Sequence, residues 1–134
     1  MIDDIRSYIA ALEEAGELKR IKAEVDSKYE LCHISKVNEE QKGPALLYEN
    51  VKDFDIPVFT SAFTTAKRLA IALEQDQDLS MSELSKTWMK LTTQDLVPPK
   101  FVDDPAVMEN IIEGCEIAGF VKIHPQPEIN VFVV

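Results

Sequence analysis

Apolar residues recur at two different spacings along this chain, and the switches between them confine it to a mixture of helix and sheet. Ile2, Ile5, Ile9 and Leu12 fall three or four apart, which puts them on one side of a helix from about Asp3 to Ala15. Gly16 follows where a helix-ending glycine belongs, because it takes positive φ without a Cβ clash. From Leu18 to Val25 the spacing becomes two: Ile21, Ala23 and Val25 alternate with Lys22 and Glu24, as in a half-buried strand.

The alternation continues. Ser27 and Glu30 have capping-box spacing, which predicts a helix start with Leu31, Ile34 and Val37 facing inward. Lys42-Gly43-Pro44 interrupts the chain, and Ala45–Tyr48 reads as a short buried strand. Ile56-Pro57 precedes a second strand, Val58 to Phe63. Thr65 to Glu74 returns to helix, with Leu69, Ala72 and Leu73 on the inner side. Ser80 and Glu83 predict another capped helix, on which Met81, Leu84, Trp88 and Leu91 share a face before it ends near Thr92.

Pro98-Pro99 then bars helix and central-strand pairing and marks the best internal boundary, dividing residues 1–97 from a connector with terminal strands at 98–134. Asp104-Pro105 can open a short helix that buries Met108, Ile111 and Ile112 and stops at Gly114, although Glu109 to Ile112 reads equally as extended. Phe120 to Ile123 and Ile129 to Val134 have strand character. The resulting order is helix, strand, helix, strand, strand, helix, helix, connector, strands. It predicts an α+β domain with a small mixed β-sheet covered by helices.

Composition excludes several functions. The 14 basic and 24 acidic side chains give a net charge of −10. Nucleic acids and anionic membranes are held by Lys and Arg, so neither is an expected partner. The longest apolar runs fall far short of the ~20 residues of a spanning helix. The acidic start MIDDIRSYIAALEE lacks a signal peptide's basic end and apolar centre, so a cytoplasmic protein is expected, with Cys32 and Cys115 as thiols.

The residues that could carry chemistry form no recognisable site. His33 adjoins Cys32 but points about 100° away from it on a helix, and the other histidine, His124, is remote, so no zinc spacing exists. Cys115 paired with either histidine would need a proximity that nothing in the spacing provides. The carboxylate pairs Glu13-Glu14, Glu39-Glu40 and Asp103-Asp104 lie at helix ends and turns, where solvation keeps them ionised. Lys67 and Arg68, beside the Thr64 and Thr65 hydroxyls in a first helical turn, are the one candidate for holding a phosphate or carboxylate; the competing reading pairs them with nearby acids. No glycine-rich phosphate loop is present. Trp88 with Met81, Leu84 and Met89 reads as core or helix–helix contact, or as a patch that another domain would cover.

Three stretches resemble the N-terminal region of UbiD-type decarboxylases, the 3-octaprenyl-4-hydroxybenzoate carboxy-lyase type. They are IRSYIAALEEAGELKRIKAEVD from Ile5, GPALLYENVKDFDIPVFTSAFTTAKRLAIAL from Gly43, and PPKFVDDPAVMENIIEG from Pro98. Asp53, Thr64 and Glu74 stand where that family often has glycine, which implies altered turns. The resemblance implies a reversible decarboxylation of aromatic or unsaturated acids, with prenylated FMN, manganese and potassium held by a catalytic region that follows this domain. No residue here matches the family's catalytic, cofactor or metal positions, so none is carried over. The expected partner is a catalytic UbiD-type subunit or a missing C-terminal domain, with this domain covering the neighbouring active site and not turning over alone. The other reading is a stand-alone interaction or regulatory module, a companion subunit, whose contact surface comprises Trp88, Met81 and the terminal INVFVV.

Overall fold

The computed structural model describes residues 1–94 and 98–103, and the backbone of Val131–Val133. Asp4 caps the first helix, α1 (Ile5–Glu14): its carboxylate accepts the Ser7 N–H at 2.7 Å, and Ser7 Oγ accepts the Asp4 N–H at 3.1 Å. Tyr8, Ile9 and Leu12 form the buried stripe, and Gly16 ends the helix with φ of 71°. Strand β1 (Leu18–Ile21) follows, then α2 (Glu30–Glu40), β2 (Ala45–Tyr48), β3 (Val58–Thr60), α3 (Ala66–Ala72), α4 (Met81–Thr93) and β4 (Val131–Val133).

The strands lie in the order β1-β2-β3-β4. Joined through α2, β1 and β2 run parallel, pairing Leu18 with Ala45 and Ile21 with Tyr48. The β2–β3 and β3–β4 pairs are antiparallel, with Leu47 opposite Phe59 and Phe59 opposite Phe132. The sheet is therefore mixed and the fold α+β.

All four residues of β2 are buried, because both faces of the strand are covered. Ala45 and Leu47 point with Phe59 into a core made with Tyr8, Ile9 and Leu12 of α1 and Ile71 of α3. Leu46 and Tyr48 point with Val58 into a second core made with Leu31 and Cys32 of α2, Val25 and Val51. Period-two alternation thus distributes one short strand between two helical layers.

Several sequence expectations are corrected. The first strand stops at Ile21, and Val25 forms only an isolated bridge to Val51. No capping box forms at Ser27. Tyr29 precedes α2 with φ of 65°, the Glu30 N–H donates to the Lys28 carbonyl at 2.8 Å, and the Glu30 carboxylate takes the Asp26 N–H at 2.8 Å. The inner face of α2 is Leu31, Cys32 and Ser35, while Val37 is exposed. Strand β3 ends at Thr60, since Ser61 turns the chain with φ of 60°. Arg68, Ala70 and Ile71 are the buried residues of α3, in place of Leu69, Ala72 and Leu73. At Asp53 (φ 67°) and Glu74 (φ 51°) the backbone takes the left-handed conformation that glycine favours.

Met108, Ile111, Ile112, Gly114, and the strand expected from Phe120 to Ile123, lie outside the described residues.

Candidate functional site

The cationic pair resolves into a structural clamp. Arg68 is fully buried, with its Nη1 donating to the Gly43 carbonyl at 2.9 Å and to Glu17 at 3.3 Å, and its Nη2 donating to the Thr64 hydroxyl. Lys67 meets the other oxygen of Glu17 at 3.0 Å. One carboxylate, from the turn between α1 and β1, therefore binds both cations that the sequence offered as an anion site. Thr65 caps α3 by accepting the Arg68 N–H. Burial pushes the Arg68 guanidinium below its ordinary pKa, opposed by the nearby Glu17 charge.

Tyr8 fastens the same region from the other side. Its hydroxyl contacts the Ala62 carbonyl at 2.8 Å and the Arg68 carbonyl at 3.1 Å, and burial raises its pKa. Its ring stacks on Phe63 at 5.6 Å and meets Phe59 edge-on at 6.2 Å. Across the sheet, Ser35 Oγ sits 2.9 Å from both the Tyr48 and Thr60 hydroxyls, a buried polar knot between α2 and the sheet. Neither group contains a nucleophile beside a base.

The remaining polar candidates are dispersed. Glu13 pairs with Arg20 at 2.7 Å, which holds its carboxyl below the usual range, and Arg20 also binds Glu49 at 2.7 Å. Glu39 accepts the Ser61 hydroxyl at 3.0 Å, while Glu14, Glu40 and His33 are exposed. Cys32 is a fully buried thiol. Asp104, Cys115 and His124 lie outside the described residues. Among the described residues no group of three His, Cys, Asp or Glu side chains converges to hold a metal, and no helix is long and apolar enough to cross a membrane.

What the fold does build is an apolar surface. Leu84 of α4 is fully buried, but Met81, Trp88, Met89 and Leu91 are 47%, 55%, 65% and 43% exposed. Helix α4 therefore docks by its Leu84 turn and carries the rest of the stripe out into solvent. Between α3 and α4 runs a groove of about 620 Å³, lined by Phe63, Leu69, Leu73, Leu84, Trp88 and Met89. A second hollow of about 310 Å³ beside Ile2, Ile5 and Tyr8 shares Phe63 and Ala72 with it. Sequence periodicity found the stripe but read it first as core. The terminal strand is not part of this face, since Val131–Val133 pairs with β3.

The chain matches one family model and overlays on solved structures. Residues 9–88 match the family model of the 3-octaprenyl-4-hydroxybenzoate carboxy-lyase N-terminal domain. The vanillic acid decarboxylase of Sedimentibacter hydroxybenzoicus in its open form superposes with a TM-score of 0.69 at 23% identity, over 76% of this chain and 22% of that one. Its closed form gives 0.60 at 25% identity, over 68% of this chain and 20% of that one. A weaker overlay, TM-score 0.48, covers 54% of this chain and 16% of the UbiD-class enzyme HmfF from Pelotomaculum thermopropionicum in complex with FMN, at 32% identity. The chain thus spans about a fifth of the length of the solved proteins it matches.

Proposed function

Because the chain belongs to the 3-octaprenyl-4-hydroxybenzoate carboxy-lyase N-terminal domain family, we propose that it is the non-catalytic front domain of a UbiD-type (de)carboxylase acting on aromatic or unsaturated acids. It works in the cytoplasm beside a catalytic region, in the same polypeptide or on a companion subunit, and covers that region's active site. Residues 1–97 form the domain in this reading, and the stretch from Pro98 leads toward the catalytic region. The observation that carries it is the pairing of both Lys67 and Arg68 with Glu17. These two cations at the start of α3 serve to hold the domain together.

Prenylated FMN, manganese and potassium supply the chemistry in this family's complete enzymes. The described residues do not fit these groups: the cations that a flavin phosphate would need are held by Glu17 and the Gly43 carbonyl, and no carboxylate cluster converges. No reaction step is therefore assigned to a residue of this chain. Its contribution is shape: a rigid body that excludes water from a neighbouring site and positions what lies beyond it.

The test pairs two preparations. The chain alone, supplied with prenylated FMN and manganese, is expected to retain no flavin after gel filtration and to release no CO₂ from aromatic acids. Added to a UbiD-type catalytic region lacking its own front domain, it is expected to co-elute and to raise decarboxylation. Flavin retention or CO₂ release by the chain alone would overturn the reading, as would failure to co-elute.

A further inference from the structure

The apolar groove between α3 and α4 has the lining and the charge of a helix-binding site. We propose that it takes an amphipathic helix of another protein, one with a stripe of large apolar side chains and lysine or arginine at one end. Trp88, Met89 and Phe63 stand open to solvent, and with Leu69, Leu73 and the buried Leu84 they line about 620 Å³. Large apolar side chains of a guest fill such a space, and aromatic and methionine walls give contact areas that adapt to the shape against them.

The groove dictates a helix. Its polar lining side chain, Ser85, already donates its hydroxyl to the Met81 carbonyl at 2.8 Å, and a guest meets no other polar side chain among the described lining residues. The guest must therefore satisfy its N–H and C=O groups within itself, as a helix does and a lone extended strand does not. The 13 residues of α4 run about 20 Å, so a guest of about 14 residues matches its length.

Charge selects the guest. The groove shares Phe63 and Ala72 with the hollow of about 310 Å³ beside α1, and among the described residues the charged side chains lining the two are Asp3 and Asp4. Lys86 and Lys90 stand on the opposite side of α4 from Leu84 and Trp88, so the acids set the charge of this face. A chain of net charge −10 repels a second copy of itself and attracts a cationic guest. The guest's lysines or arginines lie beyond its apolar stripe, at the end that reaches Asp3 and Asp4. The assignment concerns a helix supplied in trans and is independent of the decarboxylase reading.

Trp88 is the chain's one tryptophan, so its fluorescence reports the groove directly. The full chain is titrated into a fluorescein-labelled synthetic amphipathic helix of about 14 leucine and lysine residues, and into the same helix with glutamate for lysine. The leucine–lysine helix should gain anisotropy, and its unlabelled form should shift Trp88 emission to the blue. The leucine–glutamate helix should bind at least about tenfold more weakly. Trp88→Ala should weaken binding about 30-fold, the loss typical of a central aromatic anchor. Met89→Ser, at the most exposed of the wall residues, should weaken it about tenfold and serves if Trp88→Ala fails to fold. Asp3→Asn with Asp4→Asn, in which asparagine keeps the helix cap, should weaken it about fivefold. Val37→Ala, at an exposed apolar residue of α2, should bind as the unmodified chain does. No binding, equal binding of the two helices, or binding indifferent to the groove or aspartate variants would overturn the proposal, as would an equal loss in Val37→Ala. A doubled mass of the chain alone that Trp88→Ala abolishes would overturn it in favour of a second copy.

Discussion

Replacing Glu17 with alanine should destabilise this protein more than removing the arginine it binds. Arg68 is fully buried and bonded to Glu17, Gly43 and Thr64, while its Nε has no hydrogen-bond partner. Glu17→Ala leaves that charge in place without its counter-ion. Stranding one partner of a buried pair costs about 3–5 kcal/mol. Because Glu17 is itself 21% exposed and the Gly43 and Thr64 bonds survive, the lower figure of about 3 kcal/mol applies. Arg68→Met removes charge and desolvation together, keeps much of the stem's volume, and leaves Glu17 its Lys67 contact, so about 1–2 kcal/mol is expected. With a urea m-value of about 1.5 kcal/mol/M, Glu17→Ala moves the midpoint by about 2 M. The double variant should then be more stable than Glu17→Ala alone. Urea titrations followed by far-UV circular dichroism decide the matter: additive losses, or Arg68→Met costing more than Glu17→Ala, would refute the buried-charge account.

Three further outcomes are expected. The Lys28–Glu30 contact makes Tyr29 the centre of a three-residue turn at φ 65°, a strained conformation for any residue with a Cβ. Relief of strain of about 1–3 kcal/mol, less glycine's entropic cost of about 0.5–1, makes Tyr29→Gly about 1 kcal/mol more stable, a gain visible as a higher thermal midpoint; a lower midpoint would show that the turn is unstrained. At Gly43, an added Cβ would come within 2.8 Å of Asn38 Cγ, whose amide bonds the Pro44 carbonyl at 2.8 Å, so Gly43→Ala should cost about 1–3 kcal/mol in chemical denaturation. Asp4, Glu13 and Glu83 are each held below their ordinary pKa values by the Ser7 N–H, Arg20 and Ser80. Depressed folded values give stability that is present above the ordinary 3.8 and 4.5 and is lost as pH falls through the lowered ones; the thermal midpoint should hold above pH 4.5 and drop below it, less steeply in Arg20→Gln.

Local rules read the architecture well where local physics determines it. The stripe of α1, the Gly16 stop, the Ser80–Glu83 box and the apolar run Ala45–Tyr48 all hold, since each depends on residues a few positions apart. The failures share the opposite cause. Arg68 stood open between holding an anion and pairing with an acid, because the partners that bury it, Glu17 and Gly43, are distant in sequence. The Ser27–Glu30 spacing was right for a cap, but Asp26 organises that turn instead, its carboxylate taking the Lys28 N–H at 2.6 Å and its own N–H going to Glu30. For the candidate site, periodicity located Met81, Leu84, Trp88 and Leu91, yet only the tertiary arrangement separates the buried Leu84 from its exposed neighbours.

The strand order β1-β2-β3-β4 follows the order of synthesis. A chain growing from its N-terminus can lay each new strand on the edge left by the one before, and by Ala72 the first three strands and three helices are complete. The strand that pairs with the other edge of β3 comes late: the stretch from Thr60 to Val131 is roughly sevenfold longer than that from Tyr48 to Val58. Until it arrives, the outer edge of β3 stays open, with its N–H and C=O groups ready to pair with another nascent chain. The interval between making β3 and making β4 is thus this protein's period of greatest exposure to misassembly.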